Sequence, residues 1–194
     1  MVLAIVAIMM AIILGSLPNF RDHVSLDLTA QQVATVVREG QIYGMSKLGT
    51  DEATAGPLGK LWGLRFSSKD GESNRFITFI YQEGLMDEDT ITNPSDSRDI
   101  QNVYTLGGGI KIKEIWMNES TTRTLQDFVD LKFQARYPEP KCFSRWKDLS
   151  YGCDDLYESV DLVLYSPREN RTRTVRVSIN GQISVLPATQ NNVQ

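Results

Sequence analysis

An unbroken apolar run, Val2 to Leu14 (VLAIVAIMMAIIL), opens the chain and stops at Gly15-Ser16-Leu17-Pro18. Such a run is too apolar for the surface of a water-soluble domain. As a helix, Val2 to Leu17 spans only ~24 Å at about 1.5 Å per residue. A hydrocarbon core is ~30 Å thick and takes about 20 apolar residues to cross. No basic residue precedes the run and no A-x-A cleavage pattern follows it, so it does not read as a secretory signal peptide. The expectation is a membrane helix lacking its first few residues. Val2, Leu3, Ile5, Val6, Ile8, Met9, Ile12, Ile13 and Leu14 would serve as its lipid-facing anchor. Residues 1–24 then form the anchor and its exit into water.

Past the anchor, about 170 residues remain, enough for one domain with a real core. Charged residues make up 23% of the chain and the net charge is −4, which argues against a protein that coats nucleic acid. Residues 25–48 read as an amphipathic helix. Ala30, Val33, Val37, Gly40 and Gly44 recur at helical spacing in one narrow stripe. Glycine weakens an isolated helix by about 1 kcal/mol relative to Ala. Gly40 and Gly44 make sense if a sheet packs closely against Val33, Val37 and the glycines themselves.

From residue 49 to 194 the pattern turns to β. Runs at Leu61–Phe66, Arg75–Tyr81, Val103–Leu106, Ile110–Trp116, Val129–Phe133, Val160–Tyr165, Arg173–Ile179 and Ile183–Leu186 are bounded by turn residues. Lys69-Asp70-Gly71-Glu72 and Asn180-Gly181 are hairpin signals. The expected class is α+β: a long N-terminal helix, half membrane-embedded and half amphipathic, packed on an antiparallel β-sheet domain.

Cys142 and Cys153 lie close together. Behind a membrane anchor they read as a disulfide in an oxidising compartment, with a pair of free buried thiols as the plain alternative. His23 is the only histidine, so His-based triads and His-rich zinc sites have no partner set. Ser144-Arg145-Trp146-Lys147 matches S-x-x-K without its companion motifs. Asp87-Glu88-Asp89 and Asp154-Asp155 with Glu158 could offer oxygens to calcium, but solvated loops are the simpler reading. No enzyme, cofactor or small-molecule substrate is expected.

The layout resembles the type IV pilin-like family, and within it the minor pseudopilins of type II secretion, GspH/FimT type. Val2 to Ile8, with Pro18 and Asn19-Phe20-Arg21, looks like the inner part of a pilin membrane helix. Val37-Arg38-Glu39-Gly40-Gln41-Ile42-Tyr43-Gly44 resembles the L-R-x-A-Q-x-Y-A stretch of the amphipathic half. Leu61 to Tyr81 resembles the first hairpin of those pseudopilins, and Thr174 to Val185 their closing hairpin. The family's opening signature, a basic leader, a Gly and a Phe-Thr-Leu-Ile-Glu-like start, is not in this sequence. The expectation is that the reading frame extends upstream of Met1 to supply it.

The resemblance implies a non-enzymatic, single-pass protein of a bacterial cytoplasmic membrane whose C-terminal domain is extracytoplasmic. It would join a filament with other pilin-like subunits through its N-terminal helix. Relatives in DNA uptake bind DNA through a basic C-terminal region. Arg168, Arg171, Arg173 and Arg176 are the matching candidates here, with an exposed charged strand as the plain reading. The other function class is an exported β-domain that binds a ligand or cell-wall component without entering a filament.

Overall fold

A computed structural model describes residues 2–47, 60–82, 100–133, 139–144 and 157–190. Helix α1 (Val2–Lys47) is followed by β1 (Lys60–Ser67), β2 (Arg75–Gln82), β3 (Ile100–Thr105), β4 (Lys111–Asn118) and β5 (Arg123–Gln126). Then come β6 (Phe128–Phe133), β7 (Pro140–Ser144), β8 (Ser159–Ser166), β9 (Arg171–Ser178) and β10 (Ile183–Gln190). They form two antiparallel five-stranded sheets, ordered β3-β2-β1-β6-β7 and β10-β9-β8-β4-β5.

The first sheet turns Leu64, Phe66, Phe76, Val129, Leu131 and Phe133 inward; the second turns in Ile112, Ile115, Val160, Leu162, Leu164, Val175 and Val177. Both sets join one core with Leu26, Ala30, Val33, Ala34, Val36 and Val37 of α1. The helix touches β1 and β6 of one sheet and β8, β9 and β10 of the other. Each fully buried Leu, Val or Phe contributes about 1.5–3 kcal/mol over its exposed state.

These observations overturn the expected fold class. The protein is mostly β, with two sheets, and is not a long helix laid on one sheet domain. Among the described side chains of α1, those that enter the core run from Leu26 to Val37. Nor, among the described residues, is any helix long and apolar enough to cross a membrane, as the expected membrane half would need. The physical reason is geometric. A single sheet carrying every strand would leave one apolar face uncovered, whereas two sheets and a helix close a common core.

Turn chemistry sets where the chain changes direction. Gly108 and Gly109 have φ of 67° and 75°, and they carry the chain from the edge of one sheet into the other. A Cβ on Gly108 would lie 2.9 Å from Ser25 Oγ, so the crossing also needs a small residue beside the helix. Asn180-Gly181 lies in the β9–β10 turn: Gly181 N–H donates to Ser178 O and Ser178 N–H to Gln182 O, both at 2.9 Å. With Gly181 at φ 83°, this is a three-residue loop with a left-handed glycine.

Candidate functional site

The helix presents two faces with different chemistry. On the inner face Val33 and Val37 are buried, as are Gly40 and Gly44. A Cβ at Gly40 would lie 2.6 Å from Leu64 Cδ1, and one at Gly44 only 2.7 Å from Phe133 Cβ. Tyr43 stacks on Trp62 with ring centroids 5.2 Å apart. The stripe read from the sequence is narrower than the real contact, which also takes in Leu26, Ala34 and Val36.

Polar bonds hold the same helix to β9 and β10. Arg173 grips Asp27 through Nε and an amino group at 2.5 and 2.8 Å, and donates to Leu186 O at 3.3 Å. Gln41 Nε2 donates to Gly181 O at 2.9 Å. The exposed pair at Asp27 is worth under about 1 kcal/mol. Its role is to set the helix's orientation.

On the outer face Val24, Leu28, Ile42 and Met45 are 39%, 63%, 59% and 40% exposed. Polar Gln31, Gln32, Thr35, Arg38 and Glu39 lie among them. At about 100° per residue, Val24, Leu28 and Ile42 fall within ~40° of one another, and Val6 and Met10 fall in the same line. Ile5, Val6, Met9 and Met10 are also exposed. Of the expected anchor residues, Ile5, Val6 and Met9 are therefore open. The side chains of Val2, Leu3, Ile8, Ile12, Ile13 and Leu14 lie outside the described residues.

Each sheet carries one charged clasp on its outer face, built on the same tripeptide. In Val129-Asp130-Leu131 the valine and leucine point inward and Asp130 points out, across from Arg65 on β1. Arg65 grips it bidentately at 2.7 Å for both bonds. Its guanidinium lies 5.9 and 5.6 Å from the Phe79 and Phe128 ring centroids. In Val160-Asp161-Leu162, Asp161 lies across from Arg176 on β9, which grips it at 2.7 and 2.8 Å. Arg123 reaches the same carboxylate at 3.5 Å and lies 4.4 Å over the Trp116 ring. An acid inside an apolar strand run was the available signal for both clasps, and the sequence reading passed over it.

The clasps and latches bear on the four arginines considered for nucleic acid. Arg173 and Arg176 commit their forks to Asp27 and Asp161, and Asp27 and Asp161 hold those guanidiniums more firmly protonated. Arg168 and Arg171 have interactions of their own. The structure does not gather the four into one phosphate-facing set. Cys142 lies on β7, but its side chain and all of Cys153 are outside the described residues. Asp87-Glu88-Asp89 and Asp154-Asp155 are outside them too, and Glu158 is exposed.

Burial lowers the Lys132 ammonium below its ordinary 10.5, against the pull of Asp130. Between the lowered value and 10.5 the unfolded chain binds the extra proton, so stability rises with pH in that window. Burial chiefly raises the Tyr104 hydroxyl above 10.0, so above that pH the unfolded tyrosine ionises first and stability falls. Urea unfolding across the alkaline range is expected to show the rise in the parent protein and a flattened rise in Lys132→Met. An identical rise in both would refute the assignment.

Comparison with protein-family models, curated proteins and solved structures finds no match to this chain.

Proposed function

We propose that the chain is a non-enzymatic assembly subunit of the minor pilin or pseudopilin kind, serving a type IV pilus or a type II secretion-like filament. The observation that carries this reading is the two-faced helix. One face is built into the subunit's own core, and the other exposes Val24, Leu28, Ile42 and Met45 with no covering element among the described residues. The sequence resemblance points the same way. The reading places the subunit at a bacterial cytoplasmic membrane, with its β-rich part on the extracytoplasmic side. On assembly the outer line of α1 packs against neighbouring helices. Burial of these exposed apolar side chains against a neighbouring helix favours the packed state.

The test is in-cell cysteine crosslinking from positions 28 and 42, combined with a Leu28→Asp/Ile42→Asp variant. Intersubunit crosslinks are expected, and the double variant should lose assembly. Because these are surface positions, its unfolding free energy should stay within about 0.5 kcal/mol per site. Normal assembly of the folded double variant would sink the reading.

A further inference from the structure

The two sheets have four edges, and three of them carry a recognisable guard. The β2–β3, β6–β7 and β9–β10 pairings each contain a register shift. Two of those edge strands also hold a proline, Pro140 in β7 and Pro187 in β10. Bulges and prolines are how proteins stop an edge from recruiting another strand. The remaining edge, β5, pairs with β4 in unbroken register and has neither device.

Backbone direction at β5 follows from two hydrogen bonds. Glu119 N–H donates to Thr122 O at 2.9 Å, closing the β4–β5 turn. Glu158 N–H donates to Asn118 O at 2.8 Å, so the Asn118 backbone faces β8. Antiparallel pairs alternate between bonded and non-bonded. Asn118–Arg123 and Trp116–Leu125 are therefore the non-bonded pairs. The N–H and C=O groups of Arg123 and Leu125 point away from β4, toward the edge that no described strand covers.

The side chains at those positions set what fits there. Leu125 is 56% exposed beside Trp116. Arg176 takes Asp161 bidentately at 2.7 and 2.8 Å, which leaves Arg123 one long contact at 3.5 Å. The Arg123 side chain is 51% exposed and already held flat over Trp116. The Trp116 indole N–H is in turn fixed by Glu114 at 2.9 Å. A pre-oriented guanidinium whose remaining donors are unmet among the described residues recognises a carboxylate.

We propose that β5 is a docking edge for an extended acidic segment of a partner protein. That segment adds as an antiparallel strand, with an apolar residue opposite Leu125 and, two residues on, an Asp or Glu opposite Arg123. Main-chain bonds to Arg123 and Leu125 hold the strand, and the two side chains select it. A second copy of this chain fits less well, because pairing β5 with β5 brings neither Arg123 guanidinium an acid beyond its own long contact to Asp161.

The probe is an end-blocked, fluorescein-tagged peptide, Thr-Thr-Val-Thr-Asp-Thr-Thr, titrated by anisotropy against the full chain in detergent. Binding is expected, weakening with salt. Changing the peptide's Asp to Lys, or the protein's Arg123→Gln, should weaken it at least about fivefold, the loss of a charge-assisted bond. Leu125→Pro removes an edge-facing N–H that no bond among the described residues uses, and should weaken it about tenfold. Should Leu125→Pro fail to fold, N-methylation of the peptide's Val and Asp removes the same ladder from the other side and should abolish binding. Equal affinity for the Asp and Lys peptides, absence of binding, or a dimer that Arg123→Gln leaves intact and Leu125→Pro dissolves would each overturn the proposal.

Discussion

Asp130→Ala is expected to destabilise the protein by about 3–5 kcal/mol, the loss typical of breaking one side of a buried ion pair. Asp130 and Arg65 show only 6% and 15% of their side chains to solvent. Without the carboxylate, the guanidinium stays between Phe79 and Phe128 with little water to replace its two bonds. Lys132 would be left nearby, having lost the anion that steadies its charge. For a domain of this size the melting temperature should fall by roughly 10 °C. An apolar replacement of the whole pair is often neutral. Arg65→Met/Asp130→Leu should therefore recover most of the loss, and a double-mutant cycle would report a large coupling energy. A cost under about 1 kcal/mol for Asp130→Ala alone would mean that the clasp is solvated.

The second large effect is one of sign. Gly→Ala inside a helix ordinarily stabilises by about 1 kcal/mol. Gly44→Ala is expected to do the reverse and cost about 1–3 kcal/mol, because the added methyl overpacks a filled contact. The atom it meets is Phe133 Cβ at 2.7 Å, with the Phe133 carbonyl carbon and oxygen both at 3.4 Å. These atoms belong to or adjoin the β6 backbone and cannot swing aside. At Gly40 the nearest atom is Leu64 Cδ1, the end of a side chain, so Gly40→Ala should cost less than Gly44→Ala. Thermal unfolding of both variants gives the comparison. A higher melting temperature for Gly44→Ala would show that α1 does not lie on β6.

How much was legible in the sequence depends on the kind of signal each element carried. Alternating β-branched and aromatic residues marked β1, β2, β6, β8 and β9 to within two residues at each end. The strands β5 (RTLQ) and β7 (PKCFS) were missed. Each is a short edge strand with weak alternation, and its strandedness comes from the neighbour it pairs with. The helix stripe was legible because glycines at helical spacing make sense only against a close neighbour. Of the candidate sites, the anchor run and the arginines stood out by composition. What the arginines bond to did not, since Asp27 and Arg173 are far apart in the chain and meet only when β9 is laid along the helix.

By itself the sequence determined the local elements: one N-terminal helix with an inner stripe, then mostly short strands punctuated by Gly and Asn turns. Periodicity and turn chemistry act over a few residues, so one chain is enough to read them. Only the tertiary structure decided that the strands divide between two sheets, with the chain crossing from one to the other at Gly107-Gly108-Gly109, before Phe128 and after β7. It alone decided that Val-Asp-Leu in each sheet is a clasp for an arginine on the next strand, and that β5 is the unguarded edge. Those outcomes depend on which strand lies beside which. Pairing is settled by the burial of a shared core across long stretches of chain, and local pattern does not encode it.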